Sequence, residues 1–201
     1  MSPETISTRS IFPLFSALAS AVLLVVAAAG YPGGYDWFGQ SISSLFQPSA
    51  LNGSKNTSRF LAAVAVLVFC SSMAVVFNTI ARSGPTRFHR KIIQIAGIGS
   101  MVYAGLVVTP MHDVLVGVAL LFFVTAMVTI FHWLYLGRRL GMLVAGIACL
   151  ALTLSNATMY YGRLLYGFLP IVQKVSLVLW VSWLFGLYLR DARTINRAGP
   201  A

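Results

Sequence analysis

Acidic side chains are nearly missing from this chain. Its 201 residues hold four Asp and Glu together, and charged residues of both signs make up 9% of it. A soluble domain carries roughly 25% charge, because its surface must face water. Cysteine is almost as scarce: Cys70 and Cys149 stand alone, each inside an apolar run. That excludes a disulfide-stapled secreted module and leaves two small buried residues. What fills the chain is hydrocarbon, with 58% hydrophobic residues and a mean hydropathy of +0.84. A cytosolic enzyme and a disordered tail are excluded as well, since too little polar surface exists to cover such a core.

Crossing a bilayer as a helix takes about 20 apolar residues. Six runs meet that length, at about 11–30, 59–81, 92–109, 114–135, 140–160 and 171–188. The reading is an all-α polytopic membrane bundle of six transmembrane helices, one membrane domain over residues 1–201. A β-barrel is excluded, because the runs are continuously apolar rather than alternating. Arg9 before the first run and Ala27-Ala28-Ala29 at its end resemble a signal peptide. The run is long for that role, so the span is expected to be retained.

The net charge of +10 comes from 14 Lys and Arg. They are scattered among short loops, so nucleic acid is not expected as a partner. Their distribution reads as topology instead. Ten fall on the side of the termini: Arg9, Arg82, Arg87, Arg90, Lys91, Arg138, Arg139, Arg190, Arg193 and Arg197. Four fall on the other: Lys55, Arg59, Arg163 and Lys174. The positive-inside rule then predicts both termini in the cytoplasm, with His89 in a cytoplasmic loop and the long loop 31–58 outside. That loop carries Tyr31, Tyr35, Trp37, Leu45 and Phe46, and is expected to lie across the outer mouth with a short helix near 38–46. Small residues recur every fourth position at Gly141, Ala145, Cys149, Thr153 and Ala157, and again at Ala96, Ser100 and Ala104. Such stripes predict close helix packing inside the bundle.

Ionisable groups at membrane depth are costly, so each requires a reason. The conspicuous ones gather on the outer side: Asp36, His112, Asp113, Arg163 and Lys174. Asp113 is placed to cap the fourth helix. His112 and Asp113 are the candidates for acid–base chemistry, because imidazole exchanges a proton near neutral pH. Lys174, one turn into the last span, is expected to snorkel outward, or to pair with Asp36, Asp113 or an anionic headgroup. Arg163 offers a planar fork for phosphate or carboxylate, or anchors the interface. Ser41, Ser44 and Asn56 add hydroxyl and amide groups at the same mouth. No G-x-S-x-G elbow accompanies the serines. His89, His112 and His132 cannot converge on one zinc ion: His132 lies about 30 Å along the helix from His112. No metal and no cofactor is expected.

Two blocks resemble a family. One runs Tyr31-Pro32-Gly33-Gly34-Tyr35, then Gln40-Ser41-Ile42-Ser43-Ser44-Leu45, then Pro48, with Asn56 four residues before Phe60. The other is Thr109-Pro110-Met111-His112-Asp113 ahead of Phe122-Phe123. Together they resemble the first outer loop and the proline–histidine turn between spans three and four of a prokaryotic six-span membrane family, one defined as a domain of unknown function. More distantly, they are similar to DRAM-like and FRAG-type membrane proteins. The resemblance implies six spans, an outer-facing polar site and a prokaryotic cytoplasmic (inner) membrane; it implies no activity. Leu45-Phe46 replaces the family's Leu-Gly, and Gln173-Lys174 replaces an acidic–basic pair opening the last span.

Three functions fit these residues. The first is binding or handling of a lipid headgroup or small polar ligand at the outer face, with membrane lipids as partners. The second is an accessory subunit that docks a membrane protein or a second copy of itself. The third is a proton-linked transporter for a small solute. The residues do not decide whether the chain is an enzyme.

Overall fold

The computed structural model describes residues 8–109 and 111–198, with side chains for 11–109 and 111–190. Pro110 and the side chains of Arg9, Arg193 and Arg197, used above, lie outside the described residues. Six helices follow in order: α1 Thr8–Ala29, α2 Arg59–Arg82, α3 Arg87–Gly105, α4 His112–Leu136, α5 Leu140–Gly162 and α6 Leu169–Ala198. Short 3-10 turns occupy Ile42–Phe46, Leu106–Val108 and Tyr166–Phe168.

All six helices are long and apolar enough to cross a membrane, and the chain is a multi-pass membrane protein. Lipid offers no hydrogen bonds, so each crossing segment must satisfy its own backbone, and a helix does. Six successive crossings put both termini at one end, here the terminal end, and residues 30–58 at the other, the loop end. Sequence neighbours pack together: α1 on α2, α2 on α3, and α3 most extensively on α4. Helix α6 closes the bundle against α5 and α2.

The main core fills the terminal half. Phe77 and Ile80 of α2, Ile93 of α3, Met127, Ile130 and Leu134 of α4, and Leu187 of α6 are fully buried there. Glycines set how closely these helices approach. A Cβ on Gly97 would stand 2.5 Å from the Phe77 ring, and one on Gly146 would stand 2.5 Å from Phe131 and 2.7 Å from Trp183. A smaller cluster at the loop end joins Ala27 and Ala28 of α1 to Tyr31, Tyr35, Leu45, Ala50 and Ala62. Two hydroxyls tie α1 to α2: Ser20 Oγ donates to the Ala65 carbonyl at 2.7 Å, and Ser72 Oγ to the Pro13 carbonyl at 2.5 Å.

The structure corrects four expectations. Helix α3 starts at Arg87, five residues before the apolar run, because Thr86 caps it: its Oγ1 accepts from the His89 amide at 3.3 Å. His89 is therefore helical and buried rather than part of a loop. Its Nε2 lies 3.0 Å from Nδ1 of His132, and its Nδ1 lies 2.7 Å from Thr86 Oγ1. The two rings are parallel within 8° with centroids 5.2 Å apart. That separation matches the nitrogen–nitrogen distance plus two ring radii, so the imidazoles meet edge to edge in one plane. The contact joins the terminal ends of α3 and α4.

Second, Asp113 does not cap α4. Met111 holds the cap position, and Asp113 sits in the first turn. Third, the small-residue stripe of α5 does not share one face: Cys149 is buried, but Gly141 and Ala145 are exposed. A four-residue step advances about 40° around a helix, so four steps reach nearly the opposite side. Fourth, the short helix of the long loop covers only Ile42–Phe46.

The close approach of α2 and α3 makes a prediction. Gly97→Val should drive a methyl into Phe77 and cost about 1–3 kcal/mol. Thermal unfolding in detergent should show a clear fall in Tm. Gly117→Ala, where an added Cβ meets nothing within 4 Å, should not show it.

Candidate functional site

The loop-end half of the bundle is hollow. A cavity of about 450 Å³ is lined by all six helices and by the long loop. Its floor is aromatic. Phe123 of α4 and Trp180 of α6 meet edge to face at 4.8 Å between centroids, beside Met73 of α2. All three lie near the middle of their helices, so the cavity reaches roughly the midplane and stops at the main core. Trp180 is fixed there by donating Nε1–H to Thr153 Oγ1 of α5 at 2.5 Å. The walls are chiefly aliphatic, for example Val66, Val116, Leu120 and Leu177, with small residues Ala104, Ala119 and Ala157 leaving the space open.

The roof is the segment from Gln40 to Phe46, of which Ser41, Ile42, Ser43 and Phe46 line the cavity. It is held at both ends. Asn56, itself buried, donates both amide hydrogens, to the carbonyls of Leu45 and Gln47 at 3.0 Å each. Its Oδ1 accepts from Ser58 Oγ at 2.7 Å. The other end rests on α6. Gln173 Oε1 accepts from the Ile42 amide at 3.0 Å, and Lys174 Nζ donates to the Gln40 carbonyl at 2.6 Å and to Pro170 at 3.2 Å. Ahead of this roof the chain turns at Gly33, whose φ of +80° suits glycine and where a Cβ would meet Asn52 at 2.6 Å.

Tyr35 and Asp36 shape the approach to the roof. Tyr35 donates its hydroxyl to the Gln40 carbonyl at 3.0 Å. Burial, with Tyr31 and Asp36 adding, pushes its phenol up to about 12, so it stays a donor. Asp36 Oδ1 accepts from the Phe38 amide at 2.9 Å. The amides of Gly39 and Phe38 hold its carboxyl below the usual range. A depressed carboxyl stabilises the fold at neutral pH, and the contribution is lost as pH falls through the folded value. The turn at 36–39 therefore loosens only in strong acid.

At the rim, His112 Nδ1 faces Asp113 Oδ1 at 3.1 Å, and Tyr160 of α5 donates to that same oxygen at 2.7 Å. His112 and Tyr160 both line the cavity. A carboxylate on Nδ1 orients the ring and leaves Nε2 to accept a hydrogen bond or a proton.

The expected site residues thus divide into groups. Ser41 and His112 line the cavity, and Asp113 stands directly behind His112. Ser44 donates to the Ser41 carbonyl at 2.7 Å within the roof. Asn56 and Lys174 hold the roof, and Asp36 shapes the turn before it. Lys174 makes no ion pair with Asp36 or Asp113; its partners are backbone carbonyls. Arg163 stands with its guanidinium 4.6 Å from the Tyr166 ring centre, within electrostatic reach of Asp113. Sequence reasoning missed the α5 and α6 contribution of Thr153, Asn156, Tyr160, Gln173, Ser176 and Trp180. Polar positions on the inward faces of those helices were the available signal. Among the described residues no group of three His, Cys, Asp or Glu is arranged to hold a metal ion.

Comparison with family models, with curated proteins and with solved structures finds no match for this chain.

The Asn56 contacts make a prediction. Asn56→Ala strips the Leu45 and Gln47 carbonyls of their buried donor, at about 1–3 kcal/mol for a group left unsatisfied. Hydrogen exchange should rise sharply across 41–47 and stay unchanged in the terminal-half core. Uniform exchange across both regions would show that Asn56 does not hold the roof.

Proposed function

We propose that this protein binds a single-chain amphiphile, its hydrocarbon tail in the cavity and its polar head at the loop-end rim. One observation carries the reading: an apolar chamber carries Ser41, Ser43, His112 and Tyr160 in its loop-end lining and is floored near the midplane by Phe123 and Trp180. Its volume falls within the roughly 300–1,000 Å³ of small-molecule pockets. It suits one hydrocarbon chain better than a complete two-chain lipid. The blind floor favours binding over passage, so the transporter reading ranks lower. All of the lining residues belong to this one chain.

The rim is proposed to face outward. Arg82, Arg87, Arg90, Lys91, Arg138, Arg139 and Arg190 are all near the terminal end, as the positive-inside rule asks of a cytoplasmic face. The resemblance of the two sequence blocks suggests a prokaryotic cytoplasmic membrane and kinship with the six-span family named above.

Membrane lipid is itself apolar, so moving a tail from bilayer to cavity gains little from the hydrophobic effect. Affinity must therefore come from close packing and from the head. Roof residues Ser41 and Ser43 and rim residue His112 are the proposed head contacts.

A cavity-filling variant tests this. Wild type should co-purify with one class of single-chain lipid, enriched over the host membrane by mass spectrometry. Ala119→Trp with Ala157→Phe should fill the chamber and return that class to bulk abundance, with unfolding temperature showing that the variant still folds. The bulk lipid mixture in both samples would contradict the proposal.

A further inference from the structure

The charge on the cavity wall goes further than its shape. Among the described residues, those lining the cavity include no Lys, Arg, Asp or Glu. The charged groups at this end are turned to other tasks. Lys174 donates to the carbonyls of Gln40 and Pro170 and stands 5.7 Å from the Tyr35 ring centre. Arg163 covers Tyr166, and Asp36 is bound by its own turn. Behind the wall stand charges of both signs, Asp113 at 3.1 Å from His112 Nδ1 and Lys174 on the Gln40 carbonyl, each already bound to protein groups.

The uncharged groups left at the rim have a definite pattern. The hydroxyls of Ser41 and Ser43 can each donate and accept. His112, with Nδ1 facing a carboxylate, presents Nε2 as an acceptor in its neutral form. A ligand hydroxyl can both donate and accept, so it can pair with any of these groups. A carboxylate or phosphate is acceptor-only. It would find no Lys or Arg among the described residues of the wall to balance its charge. Removing an unpaired ion from water costs far more than removing a hydroxyl.

We infer that the cavity selects a single-chain amphiphile with a neutral hydroxyl head, such as a long-chain alcohol or a monoacylglycerol, against a fatty acid or a lysophosphatidate of equal chain length. The inference rests on the amphiphile reading and adds the head chemistry. It also moves Lys174 and Arg163 out of the ligand's first contacts, where an anionic headgroup would have needed them.

Photoreactive probes test it. The full-length protein in uncharged lipid nanodiscs is offered four diazirine probes of one chain length: alcohol, monoacylglycerol, carboxylic acid and lysophosphatidate, at a pH that ionises the acid. Labelled peptides are mapped by mass spectrometry. The neutral probes should label cavity segments 66–73, 100–107 and 176–184 at least about tenfold more than the anionic ones, which is about 1.4 kcal/mol of discrimination. Ser43→Lys, which places a cation at the rim, should narrow or invert that ratio. Equal labelling by alcohol and acid in wild type would overturn the inference while leaving the amphiphile reading standing. No cavity labelling by any probe would overturn both.

Discussion

Lipid supplies no hydrogen bonds, and this constraint governs the loop end of the molecule more than the helices themselves. A helix satisfies its own backbone, but the long loop between α1 and α2 must find partners for each carbonyl and amide it buries. Asn56, Gln173 and Lys174 provide them for residues 40–47. Their side chains turn an irregular segment into a fixed roof. The hollow beneath exists because the roof spans it without filling it.

The bundle is accordingly two structures stacked along the membrane normal. In the terminal half, glycines at 97 and 146 let Phe77, Phe131 and Trp183 interlock, and the edge-to-edge pair His89–His132 joins the ends of α3 and α4. In the loop-end half, alanines and serines line the space between the helices, and the Tyr160–Asp113 hydrogen bond ties α5 to α4 at the rim. The Phe123–Trp180 pair is the boundary. A solid half below and an open one above give a chamber of limited depth, and the described residues of its lining include no Lys, Arg, Asp or Glu.

Hydropathy alone located the six spans, because length and apolar content suffice in a bilayer. It misplaced the start of α3, since Arg87, His89, Arg90 and Lys91 read as loop although they form a first turn at the interface. Thr86 was the missed signal. His89 and His132 are nearly equidistant in sequence from the α3–α4 turn, and an antiparallel hairpin brings such residues together; starting the helix five residues earlier would have paired them. The polar residues of the loop end were read as a group, but their division between lining and scaffolding was not legible. That division depends on which side of α5 and α6 faces inward, and a four-residue stripe on α5 pointed across two faces.

The account turns on whether the chamber holds hydrocarbon. The direct measurement is a high-resolution density map of the protein in nanodiscs of native lipid. The account predicts continuous rod-like density rising from Phe123 and Trp180 to end among Ser41, Ser43 and His112. An empty chamber, or discrete water-like peaks along its wall, would contradict it.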